Sequence, residues 1–156
     1  MKRIKLRNSP KHTLVDDDDY ERCLSIECYL TSAGIVGCYV EKVTIPLANF
    51  IMKTNLMYDH KDRNTFNNQR TNLRICNYSQ NNSNKDKYNI ISTSIYKGVS
   101  YRKDRNKWSA YLRISGKLIH LGHFKNEKQA AKAYNRAATK HFGEFAVLNK
   151  VEVVVS

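Results

Sequence analysis

The 156-residue sequence lacks several features that define broad classes of protein. No apolar run approaches the roughly 20 residues that a membrane-spanning helix needs. The charged start has no apolar stretch behind it, so we expect no secretory signal. Hydrophobic residues make up 41% and charged residues 26% of the chain, an ordinary globular composition that excludes wholesale disorder.

Cysteine is present but sparse, at positions 23, 28, 38 and 76. No Cys-x-x-Cys pair and no His-x₃₋₅-His pair occurs, so a zinc site has weak support. Without an export signal, disulfides are not expected. We therefore predict reduced, partly buried thiols.

Acidic residues are also scarce. The chain has 14 Asp and Glu against 27 Lys and Arg, a net charge of +13. The excess is concentrated in residues 93–156, which hold 13 basic and four acidic side chains. A chain with a basic half usually meets a polyanion, because each neutralised phosphate releases counterions. Membrane-surface binding is less favoured, since no long helix would place Lys and Arg opposite an apolar face.

The first sixty residues alternate apolar and polar positions in short stretches separated by turns, which predicts several strands. The acidic run at residues 16–19 is interpreted as a solvated turn. Residues 48–57 are expected to form a short helix with Phe50, Ile51 and Leu56 towards a core. Residues 83–93 are polar and are interpreted as a linker, which places a domain boundary there.

The last third has a clearer pattern. Residues 96–101, Lys107–Ile114 and Lys117–Phe124 are predicted strands, and Ser115-Gly116 is the turn between the last two. A helix is predicted over residues 127–141, with Asn126 as its N-cap and Gly143 ending it. Alanines at helical spacing would let this helix lie close to the sheet. We therefore predict a three-stranded antiparallel sheet with one face covered by the helix.

The other face of that sheet would be polar and basic. Tyr111 and Arg113 lie on the strand face opposite Ala110 and Leu112, since side chains alternate along a strand. The residues expected to share this open face are Arg102, Tyr111, Arg113 and His120. A polyanion is the natural partner for such a surface.

Residues 59–81 carry the pattern that points to catalysis. Asp59 and His60 are adjacent, and Asn72 and Asn81 follow twelve and twenty-one residues after the histidine. Phosphodiester hydrolysis needs a base for the attacking water and a metal for the phosphate, and carboxylate and amide oxygens suit Mg²⁺ or Mn²⁺. Taken singly, each residue has a plain structural explanation: the Asp-His pair is a common dipeptide and the asparagines suit turns or helix surfaces.

The whole pattern resembles the HNH motif of phage-type homing endonucleases. The matching residues are Asp59-His60, Asn64, Asn67-Asn68, Asn72-Leu73-Arg74 and Gln80-Asn81. The family usually has Arg directly after the Asn pair, where this chain has Gln69-Arg70. The resemblance implies two strands and a helix around one divalent cation, Mg²⁺ or Mn²⁺. It assigns Asp59 and Asn81 as metal ligands, and it gives catalytic roles to His60, as general base, and to Asn72, which would hold the loop carrying His60.

Residues 95–149 resemble the DNA-binding domain of plant ethylene-response factors, the APETALA type. The match runs through Tyr96-Lys97-Gly98-Val99, Lys107-Trp108-Ser109-Ala110, Leu121-Gly122-His123-Phe124, the alanine-rich helix and Phe142-Gly143-Glu144-Phe145. In that family the sheet enters the major groove of DNA, whose width admits a β-ribbon. The resemblance implies DNA contacts from Lys97, Ser100, Arg102, Arg105, Tyr111, Arg113 and His120.

Together these observations predict an α+β chain of two domains. An HNH endonuclease domain of the ββα-metal type would span residues 1–89, with its motif at 59–84. A linker at 90–94 would join it to an ERF/APETALA-type domain at 95–149, in which a three-stranded antiparallel sheet packs on one helix. Residues 150–156 would be a tail.

The predicted function is a metal-dependent DNA endonuclease, of homing type, that hydrolyses phosphodiester bonds in double-stranded DNA. The alternative is a non-catalytic DNA-binding transcriptional regulator with a decayed nuclease domain. We expect one divalent cation, no small-molecule cofactor and no membrane partner. We also expect a monomer that nicks one strand per encounter or cuts both strands slowly by successive nicks. The alternative is a dimer through the N-terminal strands that cleaves both strands of a palindrome together. A phage or mobile element acting in the cytoplasm of a bacterial host is the expected setting.

Overall fold

The computed structural model describes residues 1–86 and 92–151. Parts of the predicted linker and tail, at residues 87–91 and 152–156, lie outside the described residues. The chain mixes α-helices with several small β-sheets and divides into two compact units, Met1–Asn77 and Tyr78–Ser156. Within the described residues, no helix has the length and apolar character that crossing a membrane requires.

The first unit is built from three small antiparallel sheets. Strands β1 (Lys2–Lys5) and β2 (His12–Val15) form the first, and β3 (Glu27–Leu30), β4 (Val36–Val40) and β5 (Val43–Pro46) form the second. Helices α1 (Asp17–Leu24) and α2 (Leu47–Met52) pack with them. The apolar side chains that fill this core with no exposed surface are Leu6, Val15, Cys23, Cys38, Leu47, Ala48 and Ile51.

The third sheet of this unit carries the beginning of the predicted catalytic motif. Strand β6 (Tyr58–His60) pairs antiparallel with β7 (Leu73–Ile75), and Asp59 lies opposite Arg74 in the register. The chain between the two strands returns to β2, where Asn68 N donates to Leu14 O at 2.9 Å. The motif loop is therefore anchored on the N-terminal hairpin.

The interpretation of residues 16–19 as a solvated turn is wrong. Asp17, Asp18 and Asp19 form the first turn of α1, where negative charge interacts favourably with the helix dipole. Asp19 is only 2% exposed and accepts from Nε and Nη2 of Arg70 at 2.7 and 2.9 Å. Asp16, just before the helix, accepts from Arg70 N at 2.7 Å. The acidic run thus fixes the segment that follows the Asn pair of the motif.

Helix α2 is shorter than predicted, and one of its expected core residues lies outside it. The helix ends at Met52 because Lys53 adopts a left-handed conformation, with φ of 53°. Ile51 is buried as expected, but Leu56 follows the helix and is 57% exposed. The expected position of Leu56 in the core is therefore wrong.

In the second unit, the sheet and its covering helix match the sequence-based expectation. Strands β8 (Val99–Arg102), β9 (Lys107–Ile114) and β10 (Lys117–Phe124) form a three-stranded antiparallel sheet, and helix α4 (Glu127–Phe142) packs on it. Asn126 caps α4 by accepting from Gln129 N at 2.9 Å, as predicted. Only the first strand begins later than expected, at Val99, because residues 95–98 form a bend and a turn that precede it.

Close packing of α4 depends on small residues. Ala130 and Ala131 have no exposed surface and pack with Val99 and Ala110 of the sheet. Gly98, at φ of +71°, lies so close to the helix that an added Cβ would be 2.2 Å from the Tyr134 ring and 2.5 Å from Tyr111 O. No L side chain fits there without displacing backbone.

Helix α3 (Tyr78–Ser83), whose residues belong to the predicted nuclease motif, is part of the second unit. Ser83 Oγ donates to Phe145 O at 2.8 Å, and Lys97 Nζ donates to Ser83 O at 2.7 Å. Ser115 N donates to Ser79 Oγ at 3.2 Å. Contacts with the turn after α4, the start of the sheet domain and the β9–β10 turn thus hold α3 in this unit.

All four cysteines are buried and carry free thiols, as predicted. Cys28 and Cys38 lie opposite each other in the β3–β4 register, and Cys23 joins them in the same core. Burial raises the pKa of the Cys28 thiol to about 12, and that of Cys23 and Cys38 to about 11. These thiols are therefore protonated core side chains at neutral pH.

Candidate active site and nucleic-acid interface

The β6–β7 hairpin places a buried carboxylate beside a buried imidazole. Asp59 and His60 end strand β6 and are 7% and 6% exposed. Such burial is unusual for ionisable side chains unless each has a partner. Each does: Asp59 pairs with Arg74, and His60 is bonded to Asn68.

Arg74 neutralises the charge of Asp59. Its Nε and Nη2 both donate to Oδ2 of Asp59, at 3.0 and 2.8 Å. The Arg74 side chain is 9% exposed, so this ion pair is shielded from solvent on both sides. The pair follows directly from the strand register, since the two residues are directly opposite each other on β6 and β7.

His60 is held as a neutral base. Its Nε2 lies 3.2 Å from Asn68 Oδ1, and the edge of its ring contacts the Tyr58 ring with centroids 5.5 Å apart. Burial lowers the pKa of His60 below its ordinary value, although the Asn68 hydrogen bond and the nearby carboxylates of Asp62 and Asp59 oppose the shift. The imidazole is therefore unprotonated at neutral pH and able to accept a proton.

Asn72 closes the loop that follows His60. Its Oδ1 accepts from Asp62 N at 3.0 Å, and its Nδ2 donates to Asp62 Oδ1 at 2.9 Å and to Asn67 O at 2.7 Å. Its backbone carbonyl also accepts from Lys61 N at 2.9 Å. One residue thus ties both ends of the segment between His60 and Asn68.

Asn81 lies on helix α3 in the second unit and is half-buried. The described residues contain no cluster of three or more His, Cys, Asp or Glu side chains arranged to hold a metal. The oxygen donors of Asp59 and Asn81 nevertheless have the chemistry that Mg²⁺ and Mn²⁺ prefer, and Mg²⁺ usually keeps several waters and takes one or two carboxylates. A cation at Asp59 would have to share the carboxylate with Arg74.

The second unit presents a polar sheet face opposite α4. Arg102, Arg113 and His120 are exposed, and Tyr111 is half-buried with its ring centroid 5.0 Å from that of His120. These two residues face each other because they are directly paired on β9 and β10. The open face predicted from strand alternation is therefore present, with its four expected residues on it.

The remaining residues predicted to contact DNA differ in their exposure and in the groups they bond. Ser100 is half-buried on β8, and Arg105 lies exposed on the turn between β8 and β9. The Lys97 ammonium donates to the carbonyls of Ser83 and Lys85, so it is engaged with the chain around α3. Lys97 thus takes part in holding α3 as well as belonging to the predicted interface.

His123 is a member of this face that the sequence interpretation missed. Its Nδ1 lies 2.8 Å from the Oγ of the fully buried Ser109, and Nη1 of Arg105 donates to its Nε2 at 3.0 Å. A signal was available: Ser109 shares the outward strand face with Tyr111, and its cross-strand partner is His123. The irregular register between His120 and Gly122 obscured the alternation along β10.

Comparison with known proteins finds similarity to two kinds of protein. An uncharacterized HNH endonuclease of Acanthamoeba polyphaga mimivirus is 34% identical over 99 residues, which is 64% of this chain and 50% of the viral protein. The chain thus spans half the length of that relative. No family model and no solved structure matches the chain.

The other matches are plant proteins. An AP2-like ethylene-responsive transcription factor of Arabidopsis thaliana is 37% identical over 59 residues, covering 38% of this chain and 12% of the factor. An APETALA2-like protein of Oryza sativa is also 37% identical, over 57 residues, or 36% of this chain and 13% of the rice protein. Both resemblances noted in the sequence, to an HNH endonuclease and to AP2-type domains, are therefore confirmed as similarities.

Proposed function

We propose that the protein is a metal-dependent DNA endonuclease of the HNH type, with a role in homing. The observation that carries the proposal is the pairing of a buried, neutral His60 with the buried carboxylate of Asp59 at the end of one short strand. The similarity to a viral HNH endonuclease supports the same activity. The basic second unit and its similarity to AP2-like factors support double-stranded DNA as the substrate.

In the proposed reaction, His60 takes a proton from the water that attacks the phosphorus. A positioned base of this kind contributes roughly 10²–10⁴-fold to the rate. Asn72 keeps His60 in place by holding the loop behind it. Asp59 and Asn81 would hold one Mg²⁺ or Mn²⁺, which when bound supplies positive charge for the phosphate and the departing 3′ oxygen.

The sheet of the second unit would select the DNA. Its open face carries Arg102, Tyr111 and Arg113 on a ribbon of the width that a major groove admits. Charged side chains there would contact phosphates and fix the register, and the tyrosine and histidine would approach base edges. In this proposal the sheet of the second unit sets the site preference, while the general base His60 belongs to the first unit.

A plasmid-nicking assay tests the proposal. Wild-type protein with Mg²⁺ or Mn²⁺ should convert supercoiled plasmid to open circles, and a chelator should stop the reaction. His60→Ala should abolish nicking while leaving DNA affinity nearly unchanged, because the base is lost and the DNA-binding face is not. His12→Ala, at an exposed histidine of the same unit, is the matched control and should cleave normally. DNA binding without metal-dependent nicking by the wild type would instead favour the non-catalytic regulator.

A further inference from the structure

A buried chain of hydrogen bonds leads from His60 to Asn68 and on to Thr13. Thr13 and Asn68 are 0% and 1% exposed, although both are polar. Asn68 Oδ1 lies 3.2 Å from His60 Nε2, and Asn68 Nδ2 donates to Thr13 Oγ1 at 2.9 Å. Buried amides of this kind are costly unless each polar atom is bonded, so their arrangement is tightly constrained.

Two backbone carbonyls fix the direction of every bond in this chain of hydrogen bonds. A carbonyl can only accept, so the Asn68 atom 3.2 Å from Thr65 O must be the amide nitrogen. Thr13 Oγ1 donates its one proton to Phe66 O at 2.9 Å, and therefore accepts from Asn68. The other end of the Asn68 amide, the oxygen, faces the imidazole. His60 must then donate through a protonated Nε2.

We propose that Asn68, backed by Thr13, is a positioning residue that selects the tautomer of His60 with its proton on Nε2. In the neutral ring the lone pair then lies on Nδ1, which is the nitrogen that would take the proton from water. As a statement about catalysis this rests on the proposed function. As a statement about the imidazole it stands on the hydrogen bonds alone.

The opposite tautomer would require the Asn68 amide to be turned over. Its oxygen would then face Thr65 O, and two acceptors would meet in a site without solvent. Thr13 would also have to give up its bond to Phe66 O in order to donate to that oxygen. The turned amide therefore loses bonds that the observed one makes, which is why the backbone of residues 65 and 66 decides the tautomer of a side chain on β6.

The first test reads the tautomer directly, without metal or DNA. The full chain, labelled with ¹⁵N-histidine, is studied by NMR at about pH 8.5, about two units above the ordinary imidazole pKa. Wild-type His60 should show a protonated Nε2 that exchanges slowly with water, and an unprotonated Nδ1. Asn68→Leu, which keeps the volume and removes the acceptor, should let the second tautomer appear and speed the exchange. A wild-type ring protonated on Nδ1, or an Asn68→Leu ring identical to the wild type, would overturn the proposal.

The second test separates positioning from packing. Asn68→Asp and Asn68→Leu both lose the amide donors to Thr13 and Thr65, but only the aspartate keeps an acceptor for His60. At the same pH, Asn68→Leu should lower kcat for nicking about 10- to 100-fold with KM unchanged, and Asn68→Asp should recover much of the loss. Equal loss in both variants, each folded by circular dichroism, would mean that Asn68 only packs the site.

Thr13 provides a milder variant in case the Asn68 changes prevent folding. Thr13→Val is isosteric and removes the hydroxyl, whereas Thr13→Ser keeps it. The valine variant should raise the population of the second tautomer, and the serine variant should match the wild type; identical tautomer populations in both would refute the role of Thr13. A wild-type protein with the expected tautomer but no nuclease activity would overturn the proposed function and support the positioning role.

Discussion

Arg74 places two donor nitrogens on one oxygen of Asp59, within a hairpin where the two residues face each other across β6 and β7. The Asp59 carboxylate, which is expected to bind a metal cation, is thus already paired with the guanidinium of Arg74. The guanidinium offsets the cost of removing the Asp59 charge from water.

The Asp59–Arg74 pair leads to a prediction about metal binding. Arg74→Met removes the guanidinium from beside the buried Asp59 carboxylate and should lower the free energy of unfolding by about 3–5 kcal/mol in the absence of divalent cations. Mn²⁺ should then raise the melting temperature of the variant more than that of the wild type, because the cation replaces the lost charge. Melting temperatures with and without Mn²⁺ measure this. Equal stabilisation of both proteins by Mn²⁺ would argue against a cation at Asp59.

Gly98 provides a prediction about packing in the second unit. Gly98→Ala should destabilise that unit by about 3 kcal/mol or more, because the new Cβ would collide with the Tyr134 ring and a backbone carbonyl at positive φ. Gly116→Ala is the matched control: its φ is +83°, but no atom lies within 4 Å of the added Cβ. Gly116→Ala should lower the free energy of unfolding by only about 1–2 kcal/mol, the cost of placing an L residue at positive φ. Chemical denaturation compares them, and similar losses would show that the close approach at Gly98 is unimportant.

Arg113 and Lys97 of the second unit lie in different environments, so they should contribute differently to the salt dependence of DNA binding. Arg113 is exposed on the open sheet face, where its Nη1 donates to Gly116 O at 2.9 Å, whereas Lys97 is half-buried and its ammonium donates to two carbonyls near α3. Arg113→Ala should reduce the slope of log affinity against log salt by about 0.9, the value for one lost phosphate contact. Lys97→Ala should leave the slope unchanged. Fluorescence titrations at several salt concentrations test both, and a smaller slope for the Lys97 variant would place its ammonium on DNA.

The raised pKa values of the buried thiols predict that the first unit loses stability in alkali. An unfolded cysteine has a pKa near 9.0, and burial raises that of Cys28 to about 12. The unfolded chain therefore releases protons first, so the stabilisation is complete below about pH 9 and declines as the pH rises towards the folded value. Cys28→Ala should flatten this decline in urea titrations. Cys76→Ala is the comparison. Burial also raises the pKa of the Cys76 thiol, but Cys76 lies outside the Cys23–Cys28–Cys38 cluster and is more exposed than Cys28, so its replacement should flatten the decline less. An equal flattening would contradict the assignment.

The second unit was the easier one to predict because its elements are long and regular. Strand alternation in Lys107–Ile114 and the alanine spacing of α4 each specify one face, and the turn residues between the strands agree with them. The short strands β6 and β7 could be located only through the resemblance of Asp59-His60 to a known motif. Three residues are too few for periodicity to indicate a strand.

What the sequence could not reveal are the partners of the charged residues in the first unit. Asp19 and Arg70 are separated by 51 positions, and Thr13 and Asn68 by 55. No local pattern predicts such pairs, because they arise only when β2 and the motif loop are brought together. For this reason the sequence pattern predicts a solvated turn for the acidic run and contains no local signal for the support of His60 by Thr13.

Helix α3 has a consequence for any attempt to exchange the DNA-binding part of this protein. The helix carries Gln80 and Asn81 of the HNH-like motif but is fastened to the second unit through Ser79 and Ser83. A chimera joined in the polar segment after α3 would remove the residues of the second unit that bond to this helix. Residues of the new module would take their place. The junction for a grafted recognition module therefore belongs before Tyr78, and a new module would have to supply its own equivalent of that helix, including the residue at the position of Asn81.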